Sequence, residues 1–135
     1  MKVYQSQKVD RDLIRGNKKT KASASSLTFA TWNVEGLTDE KIVSLQESMI
    51  ALNIQVLCIQ ETRRSLSDYW ITDKGFLVIL SGRSDEKREF AGVGFIIAPQ
   101  LRASIIGFCQ ASSRFACVKL KVAGEKIVIV LTYVP

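Results

Sequence analysis

Thr-Trp-Asn-Val-Glu-Gly-Leu, residues 31–37, and Cys-Ile-Gln-Glu-Thr, residues 58–62, are the two stretches that decide the fold of this chain. Each ends an apolar, β-prone run in amide and carboxylate side chains. One helix-length segment separates the two runs, which is typical of parallel strands in a β-α-β unit. The carboxyl ends of parallel neighbours lie at one edge of the sheet, where open α/β folds bind their ligands. We therefore expect Asn33, Glu35 and Glu61 to surround one crevice.

The remaining pattern predicts one helix followed by a run of strands. Apolar residues recur at three- and four-residue spacing in residues 39–52, and Thr38 or Asp39 can cap that helix. Strands are predicted at residues 27–33, 54–60, 76–80, 92–98, 102–108, 115–122 and 126–133. A polar connection is predicted at residues 63–75 and a charged loop at residues 81–89. This order favours an α/β fold of the α+β kind, with a mixed sheet, over a doubly wound parallel sheet.

The last predicted strand suggests that the fold has further layers. Residues 127–131, Ile-Val-Ile-Val-Leu, are apolar on both faces, as in a central strand. A single helix cannot cover both faces of a sheet with six or seven strands. We therefore expect half of a layered fold.

Charge divides the chain into two parts. Residues 1–26 hold seven Lys or Arg and two Asp or Glu, which gives them +5 of the net charge of +6. This composition predicts a basic flexible arm followed by one folded domain over residues 27–135. A basic arm can bind nucleic acid through phosphate contacts, although solvated arms without a partner are also common.

Several classes of site and location are disfavoured by composition. The chain has no histidine, which excludes a histidine base, a histidine metal ligand and a Ser-His-Asp triad within these 135 residues. Cys58, Cys109 and Cys117 lack metal-binding spacing and are predicted to be buried thiols. No signal peptide or membrane span is visible, so we expect a monomeric nuclear or cytoplasmic protein without a membrane partner.

The quoted motifs resemble those of the endonuclease/exonuclease/phosphatase superfamily. This group includes apurinic endonucleases, DNase I-like enzymes and the endonucleases of LINE-type non-LTR retrotransposons. Two further matches follow in the family order: Ala-Gly-Val-Gly-Phe at residues 91–95 and Leu-Thr-Tyr-Val-Pro at residues 131–135. The chain is most similar to the LINE-type endonucleases. The resemblance covers residues 27–135 and implies the N-terminal half of a DNase I-like four-layer α/β sandwich, truncated after the Tyr-x-Pro strand.

The resemblance also implies roles for five residues. Glu61 would bind Mg²⁺, with Mn²⁺ as the alternative, and Glu35 would lie at or near the metal. Asn33, Glu35 and Tyr133 would contact the phosphate, and Arg114 would lie near the nucleic acid. Oxygen ligands independently favour magnesium over zinc. The structural alternatives are a helix-capping or salt-bridged surface glutamate at Glu61, a turn-forming Asn33, an ordinary strand tyrosine at Tyr133 and a solvated Arg114.

Two neighbouring features receive a structural interpretation. Trp32 is predicted to lie in the core, although stacking on a ligand is the alternative. Gly92 and Gly94 are predicted to permit tight strand packing, because the stretch lacks the further glycine and the helix of a phosphate-binding loop.

The implied activity is Mg-dependent hydrolysis of a phosphodiester, with DNA as the first candidate substrate. RNA, phosphoinositides and other phosphate esters remain open. The family's later Asp-x-Asn and Ser-Asp-His motifs are absent from these 135 residues, so we expect this chain alone to be inactive. The alternative is a non-catalytic remnant, or a nucleic-acid-binding module that uses its basic arm.

Overall fold

The computed structural model describes residues 2–10, 24–82 and 91–134. In these ranges the chain forms nine strands, one α-helix and one 3₁₀ helix. In chain order they are β1 (Lys2–Asp10), β2 (Ala24–Asn33), α1 (Asp39–Ala51), β3 (Val56–Gln60), β4 (Asp68–Ile71), β5 (Leu77–Ser81), β6 (Val93–Ile97), the 3₁₀ helix (Pro99–Ser104), β7 (Ile105–Ser112), β8 (Phe115–Val122) and β9 (Glu125–Thr132).

The strands form two sheets. The first sheet has the order β1-β2-β3-β6-β5-β4, and only its β2–β3 pair is parallel among the described strands. The second sheet is the antiparallel meander β7-β8-β9. Helix α1 connects the parallel strands, so the predicted β-α-β unit is present. The mixed α+β class predicted from the sequence is confirmed.

Helix α1 forms where the sequence predicts it. The side-chain oxygen of Thr38 accepts a hydrogen bond from the Lys41 backbone N–H at 3.2 Å, which caps the first turn. Ile42, Leu45 and Met49 are buried at the predicted three- and four-residue spacing. Their burial fixes α1 against one face of the first sheet.

Two apolar cores produce three layers. The first core lies between α1 and the first sheet and includes Leu57 and Ile59 of β3. The second core lies between the two sheets and includes Val56 of β3 and Val118 of β8. Because β3 contributes to both cores, its apolar run is explained by burial on both faces.

The division into two sheets corrects the expected single mixed sheet. Strand β9, predicted to be central, lies at the edge of the second sheet. Leu131 points into the second core, whereas Val128 and Val130 are 54% and 55% exposed on the outer face. Consecutive β-branched residues favour a strand but do not specify what covers each face, which is why the prediction failed here.

Three local predictions also need correction. Residues 2–10 of the expected flexible arm form β1, which pairs with β2, and residues 11–23 lie outside the described residues. Strand β4 lies within residues 63–75, which were predicted to be a polar connection. Pro99 begins a 3₁₀ helix, so the strand predicted at residues 102–108 starts later, at Ile105. The charged loop predicted at residues 81–89 falls mostly on residues 83–90, outside the described ranges.

The cysteines differ from one another in exposure. Cys109 is exposed, so the prediction of a buried thiol is wrong at this position, and it lies directly opposite half-buried Cys117 in the β7–β8 register. Cys58 is half-buried in β3, and its loss of solvation raises its pKa from 9.0 to about 12. In residues 2–10, 24–82 and 91–134, no helix is long and apolar enough to cross a membrane.

Gly94 has the structural role predicted for it. A Cβ atom added at Gly94 would lie 2.4 Å from the carbonyl oxygen of Ile79 on the neighbouring strand β5. The absence of a side chain therefore permits close packing of β6 against β5.

Candidate functional site

The candidate site lies at the carboxyl ends of the parallel strands β2 and β3. Asn33 and Gln60 are paired at the last position of the parallel register. Beyond it, the backbone N–H of Gly36 donates to the carbonyl of Glu61 at 2.7 Å, and the N–H of Leu37 donates to Thr62 at 2.9 Å. These bonds hold the segments after the two strands side by side, as the β-α-β argument predicts.

Asn33 and Glu61 contact each other through their side chains. The Nδ2 atom of Asn33 donates a hydrogen bond to Oε2 of Glu61. The Oδ1 atom of Asn33 accepts a hydrogen bond from the Glu35 backbone N–H at 3.0 Å. Both ends of the amide are therefore held, and Asn33 orients the carboxylate of Glu61.

Tyr133 reaches the same carboxylate from the second sheet. Its backbone N–H donates to the carbonyl of Arg114 at 2.9 Å, which fixes the chain just beyond β9. The phenol lies close enough to Glu61 for the charge and hydrogen-bonding capacity of that carboxylate to act on it. Loss of solvation raises the pKa of Tyr133 above its ordinary value, the charge and hydrogen bond of Glu61 raise it further, and the charge of Arg114 lowers it.

The structure thus brings the five predicted site residues to one edge of the fold. Glu61 is half-buried between Asn33 and Tyr133, and Arg114 is near enough to affect Tyr133 electrostatically. Glu35 joins the group through its backbone, while its carboxylate is exposed. The proximity of Asn33 and Glu61 was predicted, whereas the contact from Tyr133 depends on how the second sheet packs on the first.

Lys41 is a residue of the site that the sequence analysis missed. Its ammonium group donates to the carbonyls of Val34, Glu35 and Gly36 at 2.7, 3.2 and 2.8 Å. These bonds use all three N–H donors of the ammonium group. They connect the first turn of α1 to the segment that follows β2. A cation in the first turn opposes the helix dipole, and this was the available signal that Lys41 has a specific partner.

Left-handed backbone conformations are concentrated around the site. Glu35, Glu61 and Arg63 have φ angles of 49°, 54° and 57°, although none of them is glycine. Gly36 and Gly92 have φ angles of 91° and 109°. Such conformations cost about 1–3 kcal/mol each at non-glycine residues and persist only where the surrounding structure holds them.

Gly92 supplies part of that surrounding structure. Its carbonyl accepts a hydrogen bond from the backbone N–H of Thr62 at 3.0 Å, and the carbonyl of Ala91 accepts one from Arg63 at 2.9 Å. The Gly92 N–H in turn donates to the carbonyl of Ser113 at 2.9 Å. Gly92 therefore connects the segment that carries Glu61 to the turn between β7 and β8.

Trp32 does not lie in the core, contrary to the prediction. It is 39% exposed, and the pairing of β1 with β2 extends only to the Lys2–Thr31 pair among the described residues. The indole lines a cavity of about 310 Å³ between β2 and α1. Asn33 and Glu35 line the same cavity, so it adjoins the contact between Asn33 and Glu61.

The site offers oxygen atoms that can bind a metal, but few of them belong to carboxylates. Within residues 2–10, 24–82 and 91–134, no group of three or more His, Cys, Asp or Glu side chains is positioned to hold a metal. Magnesium commonly uses one or two protein carboxylates and completes its shell with water and substrate phosphate. The carboxylate of Glu61, with the amide of Asn33 beside it, fits that kind of partial site.

Comparison of the sequence with protein-family models gave no match, and a search of curated proteins found no similar sequence.

Proposed function

We propose that this chain binds a phosphodiester together with Mg²⁺ at the edge formed by Asn33, Glu61 and Tyr133. The observation that supports this most strongly is the convergence of an amide and a phenol on one carboxylate at the carboxyl ends of β2 and β3. Bound Mg²⁺ would neutralise phosphate charge and lower the pKa of a bound water.

Each side chain has a chemically suitable role in that proposal. Glu61 holds the cation through its carboxylate, with Mn²⁺ as the alternative metal. Asn33 and Tyr133 are neutral donors that can hydrogen-bond to phosphoryl oxygens, where charge accumulates during hydrolysis. Arg114 adds a positive charge on the same side. Glu35, exposed beside Asn33, is the second carboxylate available to the cation.

The parent activity that we propose is a DNA endonuclease of the retroelement type. The three layers of helix, mixed sheet and antiparallel sheet are compatible with the first half of a DNase I-like sandwich. Hydrolysis also needs a group that deprotonates the attacking water. The five site residues leave no uncommitted base once Glu61 holds the cation and Glu35 supports it, and the sequence has no histidine. For these 135 residues we therefore propose binding without turnover.

The test is calorimetric titration of Mg²⁺, and separately Mn²⁺, into the protein with a short DNA duplex present. Glu61→Gln keeps the size of the side chain and removes its charge, so we expect cation binding to be lost. The matched control is Glu125→Gln, at the exposed start of β9. Equal cation affinity in the wild type and Glu61→Gln would refute the proposed site.

The alternative, a nucleic-acid-binding module that uses the arm, needs a different variant. Deleting residues 1–26 would remove β1, which pairs with β2, and would confuse loss of binding with loss of structure. Replacing Lys18, Lys19 and Lys21 with glutamine removes charge outside β1. If the arm binds DNA, the slope of log K against log salt falls by about 1 for each phosphate that the arm no longer neutralises, and Glu61→Gln leaves the slope unchanged.

A further inference from the structure

The cavity beside Trp32 adjoins the site, and the proposed phosphate chemistry does not fill it. Its volume of about 310 Å³ is at the lower end of the range for small-molecule sites. Trp32 forms one wall, and Val34, just after β2, and Leu45 of α1 also line the cavity. Val34 and Leu45 are only 5% and 3% exposed, so a flat group in the cavity meets mainly the indole ring.

The exposure of Trp32 requires an explanation. On alternate residues of β2, Ala30 points into the core beneath α1 and is 1% exposed, whereas Trp32 on the same face is 39% exposed. An indole of this size ordinarily contributes most of its surface to a core or an interface. Here Trp32 lines the cavity, which Lys41, Ser44 and Leu45 of α1 also line.

The rim of the cavity is polar and has free hydrogen-bonding capacity. Glu35 and Ser44 both line it, and the side chain of neither has a hydrogen-bond partner among the described residues. The Lys41 ammonium also lines it, but its three donors are used by backbone carbonyls. With Glu35 assigned to the cation, the rim still offers a donor or acceptor in Ser44, which suits the amino and ring-nitrogen groups of a nucleobase.

The cavity also borders the proposed phosphate site, with which it shares Asn33. Asn33 and Glu35 line the cavity, while the Asn33 amide contacts Glu61. A ligand that occupies both places must carry a planar, hydrogen-bonding group close to its phosphate. Nucleotides have this arrangement, whereas inositol phosphates and abasic sugar phosphates have no aromatic plane to stack on Trp32.

We propose that the cavity is a nucleobase subsite in which the base next to the bound phosphodiester stacks on Trp32. The placement of that base rests on the proposed function, since Asn33 and Glu61 position the phosphate. Base stacking on an aromatic side chain tolerates any sequence. The subsite therefore selects nucleic acid over other phosphate esters without selecting a base sequence.

Tryptophan fluorescence provides the test, because the chain contains only Trp32 and Trp70. Trp70→Phe leaves Trp32 as the only reporter, and Trp70 lies on β4 at the opposite edge of the first sheet. The probes are a five-residue single-stranded oligodeoxyadenylate, the same phosphodiester backbone without bases, and free deoxyadenosine. We expect the oligonucleotide and the nucleoside to quench Trp32, and the abasic backbone to leave its emission unchanged.

Affinity measurements give an independent readout. Trp32→Leu should weaken binding of the oligonucleotide by about 5- to 150-fold, the range expected for loss of one base stack, and should leave binding of the abasic backbone unchanged. Trp32→Phe keeps an aromatic face and should lose less. Circular dichroism checks that both variants fold, and the quenching experiment needs neither of them.

The outcomes separate this inference from the proposed function. The subsite would be refuted, and the phosphate site retained, if the oligonucleotide bound in a Glu61-dependent way without changing Trp32 emission. In that case Trp32→Leu would bind the oligonucleotide as tightly as the wild type does. Quenching by deoxyadenosine, with no Mg²⁺-dependent binding of the abasic backbone, would support the base subsite and overturn the phosphate site. Quenching by the abasic backbone would also overturn the subsite, because stacking requires a base.

Discussion

Replacement of Gly92 by alanine tests how the segment that carries Glu61 is held. Gly92 has a φ angle of 109°, which side chains with a Cβ atom rarely adopt. A Cβ atom added there would lie 2.1 Å from Oγ1 of Thr62 and 3.2 Å from the backbone nitrogen of Arg63. Thr62 is only 1% exposed, so its side chain has little room to move away.

The expected cost follows from two contributions. Forcing a non-glycine residue into this part of φ/ψ space costs about 1–3 kcal/mol. Overpacking of a buried contact costs about 1–3 kcal/mol more. Alanine also restricts the unfolded chain more than glycine does, which offsets about 0.4–1 kcal/mol of this cost. We expect Gly92→Ala to lower the free energy of unfolding by about 3 kcal/mol on balance.

The measurement is urea denaturation followed by circular dichroism, with Gly107→Ala as the matched control. No atom lies within 4 Å of the Cβ position at Gly107, and its backbone does not need a positive φ. The control should therefore differ from the wild type by no more than about 0.5–1 kcal/mol, in the stabilising direction. A Gly92→Ala variant as stable as the control would refute the close packing of Gly92 against Thr62.

Three further predictions concern other parts of the chain. Lys41→Gln should lower the free energy of unfolding by about 1–2 kcal/mol, because the backbone carbonyls after β2 lose their hydrogen-bond donor. Urea denaturation measures this loss, with exposed Lys121→Gln as the control, and an equal loss in both variants would contradict the prediction. Mild peroxide should oxidise Cys109 and Cys117 to an intramolecular disulfide, because residues directly opposite each other on paired strands lie near disulfide spacing. Mass spectrometry of the intact protein should show the loss of two hydrogens, and the Cys109→Ser variant should not show it. Because the pKa of Cys58 is raised, the folded state holds the thiol proton more tightly than the unfolded state does. The free energy of unfolding should therefore fall as pH rises from 9.0 to about 12, and it should fall less in Cys58→Ala.

The sequence predicted the elements whose pattern depends on local physics. The Thr38 cap and the apolar spacing of α1 placed that helix to within one residue at each end. The apolar runs of β3, β5 and β6 were predicted because all three strands are buried in the first sheet. Strand β4 was missed, since its four residues are mostly exposed and carry no alternating pattern.

Longer-range relations were beyond the sequence. Periodicity shows which residues of a strand are apolar but not which sheet the strand joins, so the separation of β7, β8 and β9 from the first sheet was not foreseen. Part of the site depends on that separation. Tyr133 lies close to Glu61 only because the second sheet packs on the first and ends at the same edge.

The backbone at the site departs from what the sheet itself requires. Strands β2 and β3 end at Asn33 and Gln60, so the sheet does not require the left-handed conformations of Glu35, Glu61 and Arg63 that follow. A glycine would relieve the backbone strain at any of these positions, yet two of them carry carboxylates and one a guanidinium. Where a sequence keeps charged side chains at positions that favour glycine, the side chain is the feature that the fold accommodates. Charged side chains at these left-handed positions therefore favour a chemical role for this edge over a purely structural one.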